Sequence, residues 1–310
     1  MTLLSLKDDL VKTNFHRRPF QLGHNLSGHE LFALPRLIEL AKSMPRDHIE
    51  YSSGKVSVDQ DPETIPRIDM PAEEVIRHIE ECDAWMVIKG VETDPEYRAL
   101  LHAFLNEVSN AAGPDIEPFH DLKGFIFVSS AGSTTPFHVD AEENILVQIK
   151  GDKFVHIFDN ADRSLVSEED MEISPSKHRN QHYDPSFEAR AETYSLKAGD
   201  AVHIPYLWPH WVRTGNEYTI SMAMTWKTPA VLRSNKIRLM NGTLRRFNLP
   251  QAAPGVSPSM DGIKVFAHDA ARAIIDPLRK SETLRRLLRS AIYGREANYY
   301  YGNKDKAGKT

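Results

Sequence analysis

The stretch SAGSTTPFHVDAEENILVQIKGDKFVHIF, Ser130–Phe158, holds both the strand pattern and the chemistry of this chain. His138 and Asp140 stand two residues apart in it, and on an extended segment residues i and i+2 project from the same face. One imidazole and one carboxylate are therefore expected to converge on a point. A third ligand has to come from elsewhere, and 72 positions after His138 the segment AGDAVHIPYLWPHWV places His210 just beyond a proline-containing turn. Two histidines and one carboxylate are the donor set that holds non-haem Fe(II) on one face and leaves positions open. An isolated H-x-D pair arises by chance, and a strand histidine often serves only a structural hydrogen bond. The surrounding pattern has to decide.

Working outward, short runs with strand patterning follow one another: GFIFVSS, the ligand segment, NILVQIK, a tight Gly151-Asp152 turn, KFVHIF, then ETYSL, AVHIP, HWVRT and YTISMAMTW. Their spacing predicts antiparallel β structure closed as a barrel or jelly roll, so the chain reads as mainly β with flanking helices. Helices are expected over Met70–Cys82, with Asp69 as cap, and from Asp94 to about Ala112, where Asp94-Pro95-Glu96 opens the helix and Gly113-Pro114 ends it. Residues 159–190 read as a long polar insertion and a candidate substrate lid, its His178 and His182 facing solvent. Helices resume at Ala230–Phe247, Ile263–Leu278 and Glu282–Tyr293.

Composition bounds the rest. At 310 residues and 41% hydrophobic the chain can bury a substantial core, and 26% charged residues with no 18-residue apolar run give no sign of a membrane span. The start, MTLLSLKDDLVKTNFHRRP, turns polar too soon for a secretory signal, so a cytoplasmic location is expected. A single cysteine, Cys82, excludes an intrachain disulfide and a cysteine-based zinc site; a small buried residue is its plain reading. The net charge of −5 hides an asymmetry, because residues 231–310 hold 16 Lys and Arg against 6 Asp and Glu. Such a basic tail could meet nucleic acid or an acidic partner, but charge runs are more often solvated faces, and nucleic-acid binding is not expected.

The ordered set Thr135, Pro136, His138, Asp140, Asn144, Gln148–Gly151, Lys153, Gly199, Asp200, Pro205, Trp208, His210 and Trp226 resembles the JmjC and cupin-like Fe(II)- and 2-oxoglutarate-dependent oxygenases, particularly their asparaginyl-hydroxylase-like branch. The resemblance implies a double-stranded β-helix, the jelly-roll or cupin barrel. It implies a barrel over residues 116–228, an elaboration over 1–115 packed on it, and a basic helical region over 229–310. It implies Fe(II) on His138, Asp140 and His210, with 2-oxoglutarate and O2 as co-substrates. Lys153 would meet the distal carboxylate with the Thr135 hydroxyl as second donor, and Asn144 would lie near the 1-carboxylate.

The implied reaction is a dioxygenase's hydroxylation of a protein side chain or small molecule, with release of succinate and CO2. A homodimer through C-terminal apolar positions, Leu284, Leu287, Leu288 and Ile292, is expected by the same likeness, although packing against the chain's own barrel is equally ordinary. Two departures stand out. Met224 occupies a position, two before Trp226, that is polar in many relatives, and no tyrosine upstream of Gly124 matches one that some members use. His203 and His156 read as histidines away from the metal, and Phe125 and Phe127 could line the pocket or the back of the barrel. The alternative of another class is a non-catalytic metal-binding cupin regulator with a partner- or nucleic-acid-binding tail; a third is a metal cupin enzyme that ignores 2-oxoglutarate.

Overall fold

The computed structural model describes residues 2–5, 8–113, 116–176 and 180–278. The expected helix at Glu282–Tyr293, with its apolar positions, and His178 lie outside them. Twelve strands are described: β1 (Leu4–Ser5), β2 (Phe20–His24), β3 (Ile49–Ser53), β4 (Ala84–Lys89), β5 (His120–Ser129), β6 (Thr134–His138), β7 (Glu143–Lys150), β8 (Lys153–Ile157), β9 (Glu192–Leu196), β10 (Asp200–Ile204), β11 (His210–Thr214) and β12 (Thr219–Lys227). The helices are α1 (Asp8–Asn14), α2 (Leu34–Ser43), α3 (Ala72–Arg77), α4 (Pro95–Ala112), α5 (Glu168–Ile173), α6 (Pro229–Arg245) and α7 (Pro258–Leu278). Two compact units are formed, one from Met1–Asp170 with His178–Val231, the other from Met171–Lys177 with Leu232–Thr310.

In the first unit an eight-stranded sheet, ordered β1-β2-β10-β7-β12-β5-β4-β3, accompanies a four-stranded sheet, β6-β11-β8-β9. Every pairing is antiparallel. Leu146, Val202 and Ala223 of the large sheet share one buried cluster with Val155, Ile157, Leu196 and Val212 of the small one, so the two inner faces form the barrel interior. The outer face of the large sheet buries Met86, Ile126, Ile145, Val147, Met222, Met224 and Trp226 against Leu37, Leu40, Ile76, Tyr97, Leu101 and Phe104 from the helices. This explains why NILVQIK is apolar without alternation: β7 is central and covered on both faces.

Local signals act as expected in several places. Asp94 caps α4, its carboxylate accepting from the Glu96 and Tyr97 amides while also meeting Arg36 at 2.6 Å. Gly151 sits at φ 71°, and a Cβ there would stand 2.7 Å from the Tyr218 carbonyl oxygen, so the β7–β8 turn requires glycine. The helix expected at Met70–Cys82 is shorter. Pro71, extended at φ −58° and ψ 147°, occupies the cap position itself, and its carbonyl accepts from the Glu74 and Val75 amides; Asp69 therefore does not cap. Cys82 is half-buried beside the outer core rather than enclosed, with its thiol near the Val75 carbonyl.

Residues 159–190 are not a bare loop. They contain α5 and a 3-10 turn at Pro185–Arg190, and Gln181 donates to the Phe137 carbonyl at 2.7 Å. Tyr183 packs among Phe137, Phe158, Phe187 and Trp211, which gives the segment an aromatic anchor; His182 is exposed. No described helix is long and apolar enough to cross a membrane. In the second unit, Arg245 pairs with the buried Glu172 at 2.8 Å, and Lys236 with Asp269 at 2.8 Å.

Candidate metal centre

β6 and β11 run side by side with His138 opposite His210, which brings the two imidazoles to a centroid separation of 4.1 Å. β6 ends at His138, so Asp140 is not on the strand as the H-x-D spacing suggested. It reaches the same point from the following loop. There the Leu207 amide donates to the Asp140 carbonyl at 2.9 Å, and Leu207 itself takes φ 61°, a left-handed conformation held by the turn ahead of His210. One Asp140 carboxylate oxygen lies 4.0 Å from His138 Nε2 and 3.8 Å from His210 Nε2.

The ring tautomers are set from behind. His138 Nδ1 lies 2.7 Å from the Pro136 carbonyl oxygen and His210 Nδ1 lies 2.9 Å from that of Trp208. Each Nδ1–H donating to a carbonyl leaves Nε2 as the lone-pair donor, which is the usual support of a metal-ligating histidine. Both imidazoles are buried, while the Asp140 side chain is 22% exposed. The three ligand atoms lie within 4.8 Å of one another, a donor set that fits a divalent metal.

Lys153 opens β8 and faces the same interior. Its register opposite Thr214, with His210 opposite Ile157, puts it four residues along the sheet from the histidine, about 13 Å at strand rise. It is 5% exposed, its Nζ donates to Ser221 Oγ at 2.6 Å, and the Phe127 ring centroid is 5.6 Å away. Ser221 in turn donates to Gln148 Oε1 at 2.7 Å, and Gln148 Nε2 donates to the Lys150 and Gly151 carbonyls. No carboxylate among the described residues pairs with Lys153, and burial pulls its pKa down to about 7. An uncompensated ammonium in an apolar barrel is what an incoming carboxylate would complete.

Two further sequence-read residues face inward. Thr135 lies opposite Val212 of the inner cluster, and its oxygen accepts from Trp85 Nε1 at 3.0 Å, so the hydroxyl proton is free to point into the barrel. Asn144 lies opposite Thr225, and Asn144 Oδ1 and Thr225 Oγ1 are both buried without a hydrogen-bond partner among the described residues. Such orphaned polar atoms in the barrel interior suit a polar ligand. Met224 lies in the outer core, whereas Ser221 and Thr225 of β12 face inward. Which face of YTISMAMTW turns inward is set by sheet packing, and both faces are buried.

The remaining aromatic and histidine candidates divide cleanly. Phe125 and Phe127 line the interior, as does Trp208, whereas Trp226 belongs to the outer core. Phe137 is buried among Phe158 and Tyr183, and Trp211 stacks on His156 at 3.8 Å, with His156 paired to Glu188. His203 turns to the outer face, opposite the triad's side of the sheet, as the neighbouring Val202 and Ile204 lie in the inner cluster. Trp85, Ser221 and Thr225 were not singled out by sequence. Their signal was present as period-two alternation, but it did not say which face was the pocket. Next to the triad, Asn180 bridges to His138 and donates to the Gln60 carbonyl, and the Val58 carbonyl accepts from Phe137.

A profile of the cupin-like domain matches residues 46–230. No curated protein sequence matches the chain. Among solved structures, the X-ray structure of E. coli ycfD aligns with TM-score 0.51 and 16% identity over 94% of this chain and 73% of that one. The structure of YcfD, a ribosomal oxygenase from Escherichia coli, in complex with cobalt and 2-oxoglutarate aligns with TM-score 0.49 and 16% identity, over 88% of this chain and 68% of that one. Its complex with cobalt and succinic acid aligns with TM-score 0.47 and 15% identity, over 94% and 71%. At these identities the likeness is one of fold.

Proposed function

Given that this chain belongs to the cupin-like domain family, we propose that it is an Fe(II)- and 2-oxoglutarate-dependent dioxygenase that hydroxylates a protein side chain or small molecule. One observation supports this above the others. The barrel gathers two Nε2 lone pairs and a carboxylate at one place and, about four strand residues away, buries a lysine ammonium that no carboxylate among the described residues pairs with. A five-carbon dicarboxylate that chelates a metal at one end and carries a second carboxylate at the other fits both features.

In this reading His138, Asp140 and His210 hold the iron, Lys153 and Thr135 bind the distal carboxylate, and Asn144 with Thr225 orients the metal-proximal end. When bound, the iron and its co-substrates supply oxidative decarboxylation: one dioxygen, one 2-oxoglutarate and one substrate C–H give succinate, CO2 and C–OH. The chain's own work is positioning. The Pro136 and Trp208 carbonyls hold the ligand tautomers, the Lys153–Ser221–Gln148 chain fixes the ammonium, and Phe125, Phe127 and Trp208 keep water from the inner barrel. Membership of the asparaginyl-hydroxylase-like branch, and with it a protein substrate, rests on the sequence resemblance alone.

The test is succinate release from anaerobically reconstituted Fe(II) protein given 2-oxoglutarate and then oxygen. Succinate from the wild type that is absent from His138→Ala and Lys153→Ala is expected. Neither succinate nor 2-oxoglutarate binding in the metal-loaded wild type overturns the proposal. An oxygen-consuming activity that survives Lys153→Ala would instead indicate a metal cupin that ignores 2-oxoglutarate.

A further inference from the structure

We propose that His16, Glu143 and His203 form a second, structural site for a divalent transition metal, zinc by donor type, which staples the segment ahead of β2 onto strands β7 and β10. The three residues offer one ligand atom each within 4.8 Å of one another, a second two-histidine, one-carboxylate set besides the triad. It stands on the opposite face of the large sheet. Glu143 points outward where its neighbour Asn144 points inward, and His203 points outward between Val202 and Ile204.

The spacing is that of a coordination shell. Nitrogen and oxygen ligands about 2.0–2.1 Å from a tetrahedral zinc stand about 3.3 Å from each other. Here one Glu143 carboxylate oxygen lies 3.3 Å from His16 Nδ1 and 3.2 Å from His203 Nε2, the latter pair being hydrogen-bonded. The His16 approach is not a hydrogen bond: both His16 ring nitrogens are buried without a hydrogen-bond partner among the described residues. A nitrogen close to an oxygen yet misaimed for a hydrogen bond is expected when both point at a common third atom.

The surroundings suit a bound ion. His203 is fully buried, and Phe15, Phe20 and Trp226 wall the cluster, with ring centroids 5.0, 5.1 and 6.2 Å from that of His203. His16 itself adopts φ 62°, the left-handed region, which turns its ring inward toward Glu143. A metal here would tie the residues between α1 and β2, which lie outside the described strands, to β7 and β10.

The experiment uses the full chain carrying His138→Ala and His210→Ala, stripped of metal and titrated with Co2+ or Zn2+ alone. Bound metal is counted by elemental analysis, cobalt geometry is read from its visible spectrum, and thermal stability is followed. Expected are two equivalents in the wild type and one tetrahedral equivalent in the double variant, with a rise in its melting temperature. Adding His16→Ala, at a side chain that is 25% exposed and therefore tolerant of removal, should abolish the remaining equivalent and the thermal rise. Glu143→Gln should weaken it at least tenfold. No metal in the double variant, or an equivalent that persists through His16→Ala, overturns the proposal, the latter as surface binding. Failure here leaves the first site untouched, because the count in the wild type then falls to one.

Discussion

Lys153→Met should stabilise the ligand-free protein while crippling co-substrate binding. Burial alone pulls the Lys153 pKa from 10.5 down to about 7. At about 1.4 kcal/mol per unit, keeping the ammonium buried with no carboxylate paired to it among the described residues costs about 4 kcal/mol at neutral pH. The folded pKa lies below the unfolded one, so between roughly pH 7 and 10 the unfolded chain binds the extra proton. Stability of the ligand-free protein should therefore rise with pH through that window, and methionine, close to lysine in volume, should flatten the rise.

The same pKa fixes the ligand's pH dependence. A carboxylate binds the ammonium form, which is about half populated at pH 7 and about one-tenth at pH 8. Affinity for 2-oxoglutarate should fall about fivefold from pH 7 to 8 and about tenfold from 8 to 9, with proton uptake on binding. Lys153→Met removes one partner of a buried charge pair, which costs about 2–4 kcal/mol, roughly 30- to 1,000-fold in affinity. Calorimetric titration of the zinc-loaded protein, in buffers of different ionisation enthalpy, measures affinity and protons together. A variant that binds 2-oxoglutarate as tightly as the wild type, or keeps its pH slope, would refute the role given to Lys153.

Other predictions follow from the same contacts. Ser221→Ala leaves Lys153 Nζ and Gln148 Oε1 unpaired, so 2-oxoglutarate affinity should drop by about 1–3 kcal/mol in the same calorimetric assay; an unchanged value would mean that the chain of hydrogen bonds does not position the ammonium. His210→Ala should cost one equivalent of bound metal and all succinate formation while the protein still folds, as judged by circular dichroism. Asp94→Ala removes the α4 cap and the Arg36 partner far from the triad and should lower unfolding free energy by about 1–2 kcal/mol in urea with turnover unchanged. Loss of turnover in that variant would show the helix layer to be coupled to the site.

The residue types and order around the site were legible in the sequence because they are local. Metal ligation needs two imidazoles and a carboxylate, and His138, Asp140 and His210 could be picked out before any fold was known. Helix α4 was equally legible, since Asp94, Pro95 and Gly113 mark its two ends by their own backbone chemistry. Lys153 could be named from its place in the pattern, whereas its burial beneath Ser221 depends on β8 and β12 lying in different sheets across one interior.

What only the tertiary structure decided is which face of each strand meets the pocket. Period two tells Met224 from Thr225 but not inside from outside, and in a strand covered on both faces the larger residues can fill either core. Here the methionines and Trp226 pack under the helices, leaving Ser221 and Thr225 for the barrel. Asp140 reaches the histidines from a loop held by Leu207 rather than from the strand that its spacing implied. His16 and Glu143, 127 positions apart, meet only because β7 is placed beside β10 and the chain after α1 folds back over both. No periodicity records a contact that far along the chain; burial of the shared apolar face creates it.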